Sequence, residues 1–99
     1  MLEVQKIACL NDGGFVMWFQ AVCADGSSKS SGDYPVDQTR TIDLGETSFP
    51  TGIEFWPEVH VVLGKTESAD QHVIFAMNGQ TATYEVKGTT LHYSVKLMN

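Results

Sequence analysis

Ninety-nine residues, 42% hydrophobic and 18% charged, make one domain over residues 1–99, long enough to bury a core without covalent staples and too apolar for a disordered chain. Twelve acidic against six basic side chains give a net charge of −6, which repels a phosphate backbone and excludes nucleic acid as the expected partner. The same field opposes docking on an anionic leaflet but leaves neutral lipids and sterols open. No basic start leads into an apolar run, and no stretch approaches the ~20 apolar residues of a spanning helix. The expectation is therefore a chain without signal peptide or transmembrane segment, cytoplasmic or secreted by a leaderless route.

Val4 to Leu10 and Phe15 to Cys23 read as strands, separated by Asn11-Asp12-Gly13-Gly14, which makes either a turn or a glycine bulge in one long strand. In the second, Phe15, Met17, Phe19, Ala21 and Cys23 share one face while Val16, Trp18 and Val22 share the other. Apolar residues on both faces indicate a central strand, or one covered outside by a loop or partner. Asp25 to Pro35, with four serines and two glycines, reads as an exposed loop, and Thr39 to Leu44 as a short strand. Gly45 to Pro57 has two prolines and no period and is expected to be a long connection carrying Phe55-Trp56.

Glu58 to Gly64 is expected as a strand with Val59, Val61 and Leu63 inward. Lys65 to Gln71 is polar and lacks the apolar stripe of a helix. Asn78-Gly79 is a two-residue hairpin signal that would set Val73 to Met77 antiparallel to Gln80 to Val86. From Thr81 onward, Ala82, Tyr84 and Val86 alternate with Thr83, Glu85 and Lys87. After Gly88-Thr89-Thr90, Leu91, Tyr93, Val95 and Leu97 alternate with His92, Ser94 and Lys96. These segments predict an all-β fold, a single antiparallel β-sandwich of about seven short strands.

Motifs of catalysis are missing: there is no Gly-x-Ser-x-Gly elbow, no phosphate-cradling glycine loop and no His-Glu-x-x-His pair, so no enzyme activity and no cofactor are expected. Cys9 and Cys23 stand far apart and read as reduced core residues rather than a metal pair. His60, His72 and His92 fall on the polar side of strands without ligand spacing, so no metal is expected. The residues that suit recognition are aromatic: Trp18, Phe55, Trp56 and Tyr34, which supply rigid contact area for a sugar, a lipid interface or a protein.

Asn11-Asp12-Gly13-Gly14-Phe15-Val16, then Thr39-Arg40-Thr41-Ile42-Asp43-Leu44, then Val86-Lys87-Gly88-Thr89-Thr90-Leu91, occur in an order that resembles the C-terminal β-sandwich domain of the cholesterol-dependent (thiol-activated) cytolysins and its small stand-alone bacterial relatives. The resemblance covers most of the chain and rests on short motifs. It implies that Thr90 and Leu91, matching the family's sterol-recognising Thr-Leu pair, sit at a loop tip facing lipid. Leu91 also continues the alternation of the last strand, which would place it in the core. The family's Cys- and Trp-rich membrane loop has only Phe55-Trp56 in a comparable place, and its pore-forming domains have no counterpart, so the implied role is recognition and not perforation. The expected function is a non-catalytic binding module for a lipid or sterol surface. The alternatives are a lectin-like or protein-recognition sandwich built on Trp18, Tyr34 and Trp56, and a self-associating homo-oligomer pairing through Phe15–Cys23 or a free edge.

Overall fold

The computed structural model, covering residues 1–99, shows ten strands, one 3-10 turn at Leu44–Glu46 and no α-helix. The strands are β1 Glu3–Val4, β2 Lys6–Asn11, β3 Met17–Cys23, β4 Gly26–Ser27, β5 Thr39–Asp43, β6 Glu54–Val61, β7 Thr66–Ser68, β8 Val73–Phe75, β9 Thr81–Gly88 and β10 Tyr93–Leu97. One sheet has the order β1-β8-β6-β3-β4 with β7 also on β6, and the other has the order β10-β9-β2-β5. The two sheets pack face to face in a sandwich-like arrangement.

Both sheets are mixed, which corrects the expectation of a purely antiparallel sandwich. β1 runs parallel to β8 in the first sheet, and β2 runs parallel to β9 in the second. The two segments Glu3–Asn11 and Val73–Gly88 thus travel side by side and step together from one sheet to the other. Gln5 sits at that step: its amide and that of Lys6 both donate to the Gln80 carbonyl, at 2.9 and 3.0 Å. Its side-chain amide donates to Asp43 while its side-chain carbonyl accepts from the Gly79 N–H. Asn78-Gly79 is consequently a turn between sheets and not the expected hairpin, because β8 and β9 find their partners in different layers.

The core lies between the layers. Ile7 and Cys9 of β2, Met17, Phe19 and Ala21 of β3, Val59 and Val61 of β6, and Ala82, Tyr84 and Val86 of β9 are all buried, following the period-two alternation of their strands. Cys9 and Cys23 are buried and unpaired, and burial pushes the Cys9 thiol well above its usual range. Asn11 is the one fully buried side chain of amide type. Its Nδ2 donates to the Phe15 and Tyr34 carbonyls and its Oδ1 accepts from the Gly13 N–H, so it ties the arch between β2 and β3 to the loop that ends at Tyr34. Gly13 has no alternative there, since a Cβ would run into the Phe15 ring.

The long connection expected over Gly45–Pro57 ends earlier, because β6 already begins at Glu54. Pro57 lies inside that strand. Its carbonyl accepts from the Ala69 N–H, so its own missing donor faces the break between β8 and β7 and no ladder bond is lost.

Candidate functional site

Three loops converge at one end of the sandwich. Thr89 and His92 exchange both backbone hydrogen bonds, leaving Thr90 and Leu91 as the two central residues of the turn that closes β9 onto β10. Gly88, at φ 139°, precedes that turn, and a Cβ on it would strike the His92 carbonyl. The β6–β7 hairpin closes through Val62-Leu63-Gly64, with the Val61 N–H donating to the Lys65 carbonyl and the Gly64 N–H to that of Val61. The two tips touch: Lys65 N–H donates to the Thr90 carbonyl at 3.0 Å, and Gly64 lies so close to Thr90 that a side chain would not fit. The β2–β3 arch joins them through Val62 N–H to Val16 carbonyl, 2.9 Å, and Gly14 N–H to Gly88 carbonyl, 3.3 Å.

This end is apolar where a soluble tip is ordinarily polar. Leu63 is 97% exposed, Leu91 56%, Val62 42% and Val16 41%. Leu63 also holds φ 60°, a left-handed conformation that costs a residue with a Cβ about 1–2 kcal/mol. The inward position expected for Leu63 is therefore wrong, because β6 ends at Val61 and the chain reverses before Leu63 can face the core. Leu91 likewise leaves the alternation of β10, which starts only at Tyr93. Beside the leucines, Lys65, Glu67, Lys87, Leu91 and His92 line a shallow hollow of about 380 Å³. The Tyr93 hydroxyl donates at its inner side to the Lys65 and Val59 carbonyls, at 2.7 and 3.1 Å. Burial, then the nearby Glu67 charge, push Tyr93 up to about 12.

The aromatic residues singled out in the sequence divide. Phe55 is wholly buried and packs edge-on against Phe49 and Phe75, so it belongs to the core and not to an exposed loop. Tyr34 is buried as well, with its hydroxyl donating to the Cys9 carbonyl at 2.8 Å and the Arg40 guanidinium 5.1 Å from its ring. Neither can serve as a ligand-binding residue on the surface. Burial of their hydroxyls raises the pKa of both Tyr34 and Tyr84 above the ordinary phenol range.

Trp18 and Trp56 do lie outside, on the solvent face of the first sheet. Trp18 stacks on His60 with centroids 3.9 Å apart and planes 1° from parallel, and Trp56 stacks on His72 at 4.3 Å. Each histidine also meets a carboxylate: Glu58 lies 2.6 Å from His60 Nε2, and Glu54 3.1 Å from His72 Nδ1. With Thr66 Oγ1 3.1 Å from His60 Nδ1, the consistent tautomer donates from Nε2 to Glu58 and accepts from Thr66. Glu58 is held below the usual carboxylate range by the Gln20 amide first and by His60 second. The repeated unit of Trp, His and Glu was not visible in the sequence, since the partners are 18 residues apart in one case and 42 in the other, counted from Glu54 and His72, and from Trp18 and His60. Trp56 pairs with Val22 near one end of β3, whereas Val61 pairs with Met17 at the other. Trp56 is thus remote from Thr90 and Leu91, and with Phe55 in the core the four residues Thr90, Leu91, Phe55 and Trp56 do not form one site.

No known protein-family model, characterised protein or solved structure matches this chain.

Proposed function

We propose that the protein is a non-catalytic recognition module that seats its three-loop end on a neutral lipid or sterol-bearing surface, with Leu63 and Leu91 as the inserting side chains and Thr90 beside them. The observation that carries this reading is Leu63: nearly fully exposed and held in a left-handed turn position where glycine or asparagine is the unstrained choice. The tip is convex, so it suits a fluid apolar layer that closes around it. Lys65 and Lys87 line the same hollow as Leu91, together with Glu67 and His92, and their ammonium groups could meet a headgroup phosphate. The resemblance of Gly88-Thr89-Thr90-Leu91 to the sterol-recognising turn of the cytolysins points the same way.

Each leucine transferred from water to hydrocarbon is worth about 2 kcal/mol, or about thirtyfold in partitioning. Flotation of the protein with phosphatidylcholine vesicles, with and without cholesterol, tests the reading. Co-flotation that falls steeply in Leu63→Ser and again in Leu91→Ser is expected. Protein left at the bottom of the gradient, or flotation indifferent to both substitutions, overturns it.

A second reading is favoured by the shared outer face of Trp18 and Trp56, which lie about 13 Å apart along β6 with Gln20 and Glu58 between them. Such a spacing suits an oligosaccharide lying across the sheet. Tryptophan fluorescence during titration with cello- and chito-oligosaccharides would change for this reading and stay flat for the first.

A further inference from the structure

We propose a separate binding site for an extended peptide at the free edge of β5, where the peptide joins the second sheet as an added strand. β5 pairs with β2 alone. Leu44 N–H donates to the Gln5 carbonyl and Asn11 N–H to the Gln38 carbonyl, which fixes the hydrogen-bonded pairs of that ladder. By the alternation of an antiparallel pair, the amides and carbonyls of Thr39, Thr41 and Asp43 then point away from β2 to the outside. Donors and acceptors repeating every second residue are the pattern that an extended backbone complements.

The other long edges are handled differently. Along β3 the serine-rich segment acts as a strap: Ser28 and Ser31 hydroxyls accept from the Ala21 and Phe19 amides, and Met17 and Tyr34 exchange both backbone bonds. On β10 the Leu97 amide donates to the Gln71 side chain. On β5 the Thr39 carbonyl accepts from the Arg40 guanidinium at 3.3 Å, and the outward backbone groups of Thr41 and Asp43 have no partner. The β5 edge forms one wall of a groove of about 690 Å³ whose other walls are the strap and the Glu46–Phe49 loop. Because the strap and the Glu46–Phe49 loop flank Thr41–Asp43, a slender single strand fits beside these residues where a second folded copy would meet the strap first. Alternate residues of the peptide would face Ile42 and Phe49, both half-buried, and the residues between them would face Thr41, Asp43 and Lys6. The fitting ligand is a short segment alternating apolar and polar side chains, with both signs of charge accommodated by Lys6 and Lys29 and by Asp43 and Glu46.

Selection of a random heptapeptide library displayed on phage against the intact protein, followed by titration calorimetry and amide exchange with the synthetic winner, tests the site. Expected are selected peptides of alternating polarity and slowed exchange at Thr39, Thr41 and Asp43 on binding. Thr41→Pro removes an outward donor while leaving the β2 ladder intact, and should weaken binding by about tenfold or more; Thr41→Ala should bind like the parent. Failure to select any peptide, protection elsewhere, or equal binding by the proline variant overturns the proposal. So does light scattering that shows a dimer dispersed by Thr41→Pro, since the edge would then serve a second copy.

Discussion

At the scale of single residues, two positions carry loads that their identity alone would not disclose. Asn11 satisfies two carbonyls and one amide inside the core, and its replacement leaves the Phe15 carbonyl and the Gly13 amide without a partner, while the Tyr34 carbonyl keeps the Met17 amide. An unmatched buried group costs about 1–3 kcal/mol, so Asn11→Ala should lower the urea midpoint by more than a typical surface change, while Asn11→Asp should recover little because it cannot donate. Leu63 is the reverse case, a residue whose side chain contributes nothing to the core and whose backbone is strained. Leu63→Gly relieves about 1–2 kcal/mol of left-handed strain and adds about 0.5–1 kcal/mol of unfolded-state entropy. Stability by urea denaturation should stay within about 1 kcal/mol of the parent or rise, even as vesicle binding falls. A large loss of stability would show that Leu63 packs after all.

At the scale of elements, the serine-rich segment changes meaning between sequence and fold. Its composition reads as a solvated loop, and most of it is exposed, yet it lies along β3 in place of a strand. Serine suits this because a hydroxyl can accept from a strand amide and donate onward to its own neighbour, as Ser28 does to the Lys29 carbonyl and Ser31 to that of Gly32. The double change Ser28→Ala with Ser31→Ala should cost about 2–4 kcal/mol by leaving two amides unmatched. Faster hydrogen exchange confined to Phe19 and Ala21 is the diagnostic readout; unchanged exchange there would mean water replaces the hydroxyls. The β6 strand teaches a related lesson. Two aromatic residues beside a proline suggest a loop, but Phe55 and Trp56 point to opposite faces, one into the core and one onto His72, as a strand demands.

At the scale of the whole molecule, alkaline stability follows from three phenols. Tyr34, Tyr84 and Tyr93 are all raised by burial, so each keeps its proton in the folded chain at a pH where the unfolded chain has lost it. The folded state then binds more protons than the unfolded one, and stability falls as pH rises above about 10, the ordinary phenol value. Urea midpoints should decline through that window, with tyrosinate absorbance from Tyr34 and Tyr84 appearing only on unfolding; a flat profile, or all three tyrosines ionising in the folded protein, would contradict the burial of these hydroxyls. No helix of the structure is long and apolar enough to cross a membrane. What the sequence determined by itself is the set of faces: the period of two groups the buried residues of β3 and β9 correctly, and in β6 it does so for Val59 and Val61 but not for Phe55 or Leu63, because alternation is a local property of extended chain and fails where a strand's ends are misplaced. What only the tertiary structure decided is partnership. Neither the parallel pairing of Glu3–Asn11 with Val73–Gly88, nor the meeting of Leu63 with Thr90-Leu91, nor the exile of Trp56 to the far end has a local signal. Each depends on which strand closes the hydrogen bonds of another across dozens of residues, and that choice belongs to the packed whole.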